Sequence, residues 1–329
     1  MKDNLTSSRF ACNFLFLVAS GLSFGEPLIA AEGLYRPASS TLRVASYNVM
    51  QTRILEGRSR ADSWARMLKA INAGVWVLQE TFYGDAPAPE AQGEAFRNRV
   101  EMVTGKNDWI YSWDKTGRYL LTRYPIRWNK ELHRRVHASW IDLPPSVSTK
   151  DLVVINVHYR TQIDKQIAAA VDFLNEVRAG KHAAGIPSDA SIMICGDFNQ
   201  NETQSAYATL VGKKGFIDMR PSHPGATGQD KTIGNVELDA KGKWSSIGKN
   251  RIDFTLVNSS VLRKEGSFIF NTLVMPQADL KASGLKRGDV ALEPEKTTDF
   301  TDVTIGCDHF AIITDFSDPN VSAPRRTTP

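Results

Sequence analysis

The chain has 329 residues, 42% of them hydrophobic, with a formal net charge of +4. It can bury one large core or two small ones, and its apolar and charged fractions are those of a soluble globular protein. No long run of like charge and no internal repeat occurs, which excludes a solenoid and a polyelectrolyte tail, while the mild basicity permits attraction to polyanions without identifying one.

The chain opens with Lys2 and Arg9 around a basic start, a short apolar stretch from Ala11 to Phe24, and the small residues Ala30 and Ala31. This pattern predicts a secretory signal peptide over residues 1–31, because the apolar run is shorter than the ~20 residues a membrane span needs. Export to a secreted or periplasmic location follows as an expectation. A short linker, 32–41, then leads into one domain over 42–316, with a flexible tail at 317–329.

The first strand signal, Leu42 to Ala45, closes on Ser46-Tyr47-Asn48. Trp64, Met67, Leu68 and Ile71 recur at helical spacing, and Val75 to Leu78 then closes on Gln79-Glu80. Phe96, Val100 and Val103 predict a second helix, and Leu121-Thr122-Arg123-Tyr124-Pro125-Ile126 a strand and turn. Asp142 to Lys150, with Pro144-Pro145, reads as a loop before the apolar run Leu152–Val157, which closes on His158. Ile163, Ile167, Val171, Leu174 and Val177 mark a third helix, stopped at Gly180. Ile192 to Cys195 runs into Gly196-Asp197-Phe198-Asn199. Two long polar segments, Pro221–Asn250 and Gln277–Asp302, read as loops at the rim of a substrate cleft. Between them Arg251-Ile252-Asp253-Phe254 opens a strand, and Asp308-His309 precedes the last apolar run, Phe310–Ile313. Apolar stripes on helices and strands apolar on both faces predict an α/β (α+β) four-layer sandwich, two packed β-sheets flanked by helices. His133, His137 and His223 match no such word and are read as surface residues. Cys195 and Cys307 flank two of the words; a disulfide is open to an exported protein, but free core thiols are the reading preferred here.

Six strand edges therefore present Asn48, Glu80, His158, Asp197 with Asn199, Asp253, and Asp308 with His309. In this order the set resembles the endonuclease/exonuclease/phosphatase superfamily, whose members include deoxyribonuclease I, and the resemblance runs from about Leu42 to Phe316. It implies a deoxyribonuclease I-like sandwich. The residue types carry a consistent chemistry. Such groups are costly to bury unless paired or bound to metal. Glu80 is the first metal ligand, with Asn48 and Asp308 completing its surroundings; Mg²⁺ suits these hard oxygen donors, with Mn²⁺ or Ca²⁺ as alternatives. His309 is the general base or phosphate stabiliser, and the resemblance gives Asp253 the task of orienting it. Asp197 positions or deprotonates the attacking water, Asn199 donates to a phosphoryl oxygen, and His158 bonds the phosphate or protonates the leaving group. Arg123, Tyr159 and Arg160 are candidates for substrate contact at the cleft edge. The expected function is an exported, metal-dependent phosphodiesterase acting as a nuclease, monomeric, with a nucleic-acid substrate and no obligate protein partner. A lipid or inositol-phosphate phosphohydrolase and an inactive binding module of the same fold are the alternatives.

Overall fold

The structure is a computed structural model and describes residues 34–49, 58–81, 89–224, 230–233, 237–238, 244–245, 250–289 and 309–321. The expected signal segment, Cys307 and Asp308 lie outside these residues. In chain order the elements are β1 (Leu42–Asn48), α1 (Arg58–Ile71), β2 (Val75–Gln79), α2 (Pro89–Thr104), β3 (Ile110–Trp113), β4 (Tyr119–Thr122), β5 (Ile126–His133), β6 (Val136–Ile141), β7 (Leu152–His158), α3 (Ile163–Arg178) and β8 (Ser191–Asp197). There follow a helical turn α4 (Ser205–Tyr207), the short strands β9 (Ile217–Asp218), β10 (Glu237–Leu238) and β11 (Trp244–Ser245), then β12 (Asp253–Asn258), β13 (Arg263–Phe270), α5 (Gln277–Ser283) and β14 (Ala311–Ser317).

Among the described residues all the strands except β10 and β11 form two six-stranded sheets, ordered β13-β14-β1-β2-β4-β3 and β5-β6-β7-β8-β12-β9. Each has one parallel pair, β1–β2 and β7–β8, and antiparallel neighbours elsewhere. A parallel pair needs a crossover, and α1 and α3 provide them. The period of two along each strand then builds three apolar layers. Leu42 and Val44 of β1 and Val75 and Val77 of β2 meet Leu152 and Val154 of β7 and Met193 and Cys195 of β8 between the sheets. The alternate residues face outward: Ala45, Tyr47, Trp76 and Leu78 pack on Trp64, Met67, Leu68 and Ile71 of α1. Val153, Ile155, Val157, Ile192 and Ile194 pack on Ile167, Phe173, Leu174 and Val177 of α3. The result is the expected four-layer α/β sandwich.

Two polar bonds cut across this apolar scheme. Arg43, fully buried, forks onto Asp315 with Nε and Nη2 at 2.8 and 2.7 Å, tying β1 to β14. Between the sheets, the Asn156 amide donates to the carbonyls of Leu78 and Tyr119 at 2.9 and 3.1 Å and accepts from Gln79 Nε2 at 2.8 Å. Leu78 and Tyr119 are the last opposed pair of β2 and β4, so Asn156 of the second sheet caps a ladder of the first.

Several expectations need correction. Gln277–Ser283 is helical, not loop: Leu280 and, beyond the helix, Leu285 are buried, and Gly284 at φ 69 supplies the left-handed stop. The tail is anchored at its start, where buried Asp318 accepts from the Thr149 amide and hydroxyl, both at 2.7 Å. His137 and His223 are buried rather than on the surface. His137 shares a strand with inward-facing Ser139 and Ile141, and burial lowers its pKa to about 4 despite nearby Asp114.

Replacing Arg43 alone should leave the buried Asp315 carboxylate with only Ser40 at 3.1 Å and Arg36 at 3.9 Å. Arg43→Met is expected to cost about 3–5 kcal/mol in urea unfolding, with much of this recovered in Arg43→Met/Asp315→Leu. Equal losses in the single and double variants would show that packing, not charge, sets the effect.

Candidate active site

At one end of the inter-sheet layer the apolar residues give way to ionisable ones. β1 carries Val44 inward and, four residues on, Asn48; β8 carries Met193 and Cys195 and then Asp197; β7 carries Leu152 and Val154 and then His158; β12 carries Val257 and then Asp253. All four polar side chains keep the inward phase of their strands. Glu80 does not: Val75 and Val77 face inward, so residue 80 is out of phase, and its left-handed backbone at φ 51 turns the chain just as β2 ends. Gly196 has the opposite task. Its φ is 133, and a Cβ there would stand 2.1 Å from the Val157 carbonyl, so only glycine lets β8 run this close to β7 beside Asp197.

The side chains converge on one carboxylate oxygen. Asp197 Oδ2 accepts from Asn48 Nδ2 at 3.0 Å and Asn199 Nδ2 at 2.9 Å, and lies 3.6 Å from His158 Nε2 and 3.8 Å from His309 Nε2. His309 Nδ1 bonds Asp253 Oδ2 at 2.8 Å, and both are buried. His158 Nε2 meets Glu80 Oε1 at 3.1 Å, and Asn48 Nδ2 donates to the same oxygen at 3.2 Å. Arg135 Nη1 lies 2.9 Å from His158 Nδ1 and 3.5 Å from its Nε2.

Donor chemistry assigns the two rings opposite roles. A carboxylate only accepts, so His158 Nε2, 3.1 Å from Glu80 Oε1, carries a proton and donates it there. His309 Nδ1 donates to the Asp253 carboxylate, and its Nε2 lone pair faces the amide donor Asn48 Nδ2, 3.4 Å away, and the Asp197 side. One histidine is thus a donor and the other an acceptor at the same centre.

The carboxylates diverge in the same way. Burial pushes Glu80 up, but the His158 hydrogen bond and charge, helped by Asn48 and His309, bring it down to about 2. Burial drives Asp197 the other way, to about 6; His309 and His158 pull it down and Asp253 reinforces burial. Glu80 and Asp197 are hard oxygen donors whose ligand atoms, with His158, lie within 4.8 Å of one another. They fit a divalent cation that keeps several waters. Asn48 presents its amide nitrogen to both carboxylates and holds them, rather than offering its oxygen between them.

Some sequence-derived candidates stand elsewhere. Asn199 donates both amide hydrogens inward, to Tyr159 O at 2.7 Å and to Asp197, and its backbone N–H bonds Asp197 Oδ1 at 2.7 Å. It orients Asp197 instead of reaching for phosphate. Tyr159 is out of phase with His158; its ring is fully buried against Phe198, 5.1 Å between centroids, and only its backbone serves the site. Arg123 follows Thr122, which pairs with Val75 at the opposite end of β2 from Glu80, and is bound to Asp108. Arg160 is exposed beside the site, two residues after His158. Arg135 escaped the sequence reading because it lies in the β5–β6 turn, at φ 71, and ends no apolar run.

A raised folded-state pKa means that protonated Asp197 favours folding. That contribution is complete below the unfolded value of about 3.9 and is lost as pH rises through about 6. In chelator at pH 7.5, Asp197→Asn should therefore raise stability, by on the order of 1–3 kcal/mol, and the gain should shrink at pH 4. Thermal unfolding at both pH values checks this, and a variant less stable than the parent at pH 7.5 contradicts it.

The family model of the Endonuclease/Exonuclease/phosphatase family matches residues 45–274. Among solved structures, an endonuclease/exonuclease/phosphatase from Bacteroides vulgatus is similar at TM-score 0.54 and 14% identity, covering 84% of this chain and 98% of its own. A family protein from Leptotrichia buccalis gives 0.52 and 15%, covering 84% and 99%. A mannosyl-6-phosphatase from Bacteroides thetaiotaomicron gives 0.52 and 14%, also covering 84% and 99%. No curated protein matches the chain in sequence. These likenesses are of fold, whereas the family match spans most of the strands that build the site, and so the chain belongs to the endonuclease/exonuclease/phosphatase family, whose enzymes are divalent-metal-dependent phosphoesterases.

Proposed function

We propose that this protein is a divalent-metal-dependent phosphodiesterase that acts as a nuclease. The observation that carries the reading is the pair of histidines with opposed ring nitrogens across the Asp197 carboxylate, one braced by Asp253 and the other donating to Glu80. Diester hydrolysis needs a base for the attacking water and a donor for the phosphoryl or leaving oxygen. The cation, when bound by Glu80 and Asp197, offsets charge on the phosphoryl oxygens. Asp197, fixed by Asn199, orients the water. Its proton passes to His309 Nε2, and Asp253 stabilises the resulting imidazolium. His158 Nε2–H donates to the phosphate as the P–O bond to the leaving group breaks and the new P–O bond to water forms. Asp308, next to His309 in sequence, is a further candidate cation ligand.

The choice of nucleic acid rests on the positive net charge and on Arg135 and Arg160 beside His158. The likeness to a mannosyl-6-phosphatase makes a sugar phosphomonoester worth including in the test panel. That panel is plasmid DNA, RNA, sphingomyelin, phosphoinositides and mannose 6-phosphate, each with Mg²⁺ and with chelator. Cleavage of DNA or RNA that stops in chelator supports the proposal. Turnover of only the lipids or the monoester, or full activity in chelator, rejects it. Export is proposed too, on the basic-apolar-small pattern of residues 1–31; a native N-terminus at Met1 in cytosolic protein would overturn it.

Glu80→Ala should lose most activity and weaken metal binding measured by calorimetry while the circular dichroism spectrum stays that of the parent. Wild-type rates at limiting Mg²⁺ would remove Glu80 from the cation site. His309→Ala should slow turnover by roughly 10²–10⁴. Since Asp253 acts through His309, adding Asp253→Asn to His309→Ala should cost little more. Defects that multiply in the double variant would break the pair apart.

A further inference from the structure

Beside His158 and Asn199 the surface opens into a cavity of about 570 Å³, lined by Arg160, Gln162, Ile163, Asp164, Lys165, Gln200 and Ser205. Its wall is built, not incidental. The buried Gln166 side chain of α3 accepts from the Arg160 backbone N–H at 3.3 Å and donates to the Arg134 carbonyl at 2.9 Å. One side chain therefore locks together the start of α3, the loop after His158 and the turn that carries Arg134 and Arg135. Burial lowers the Arg135 pKa, the charges of Arg160 and Arg134 lower it further, and those of Glu80 and Asp114 offset them only in part, which places three guanidiniums in one field. Among the described residues, Arg134, Arg135, Arg160 and Lys165 form no ion pair with a carboxylate. Asp164 is the single acidic residue in the lining.

Like charges held together and only partly offset repel, and a bound anion relieves that repulsion. The lining has no aromatic ring, so it offers nothing to a quaternary ammonium group such as choline. We infer that this cavity receives a second phosphate of the substrate, one unit away from the phosphate undergoing cleavage, and so selects polyanionic substrates over single isolated diesters. The inference rests on the phosphodiesterase reading and adds the neighbouring group to it.

The test compares three thymidine dinucleotides with Mg²⁺: the unphosphorylated one and those carrying a 5′- or a 3′-terminal phosphate. In the wild-type protein one of the two added phosphates should raise kcat/KM about tenfold, the size of one charge-assisted contact. In Arg160→Gln and Lys165→Gln that gain should fall toward unity, with the change in KM. The proposal is overturned if neither phosphate gives a gain in the wild type, or if the gain persists in both variants. If no dinucleotide is cleaved at all, the phosphodiesterase reading is what has failed. Calorimetric binding of inorganic pyrophosphate in chelator then decides the site separately. Affinity weaker by about tenfold in the variants supports it, and equal affinity overturns it.

Discussion

The site exists only because two sheets are held in fixed register, and the side chain that fixes them is Asn156. The first sheet contributes Asn48 and Glu80; the second contributes His158, Asp197 and Asp253. Apolar contacts between sheets are non-directional and would tolerate a slide of an ångström or more. An amide that satisfies two carbonyls of the opposite sheet and one glutamine does not. Gln79 is both a partner in that bridge and the residue before Glu80, so the same bond that aligns the sheets also fixes where β2 ends and the carboxylate begins.

Burial at the seam explains the chemistry of the centre. Asp197 and Asp253 sit in the same low-dielectric layer, and each is held by a histidine or an amide. Glu80, nearer the surface and bonded to His158, remains a strong anion. Two carboxylates with diverging proton affinity, and two histidines with opposed ring nitrogens, are produced by the different partners each meets within a few ångströms.

Much of this could be read in the sequence, for a specific reason. A polar residue that ends an apolar run must be at a strand edge, and six such edges in order describe two sheets meeting at one rim. What escaped the reading follows from the same rule. Tyr159 adjoins His158, but strand phase sends it into the outer layer with Val157 and Ile155. Asn199 looks like a phosphate donor until both its hydrogens are found on Tyr159 and Asp197. Arg135 belongs to a turn, where no periodicity marks a side chain as inward. Gln277–Ser283 reads as loop because its polar residues outnumber Leu280, the single side chain that docks it.

Cys195 shows a different consequence of the seam. It lies two residues before Asp197 in the layer between the sheets, and burial pushes its thiol up to about 12 in spite of a hydrogen bond with Ser46. A thiol so placed stays protonated and out of reach of alkylating or oxidising reagents while the sheets are closed. Its chemistry is therefore gated by separation of the two sheets. The rate at which Cys195 reacts in the native protein measures how often the sandwich opens at its centre, a motion that the charged groups at the rim do not report.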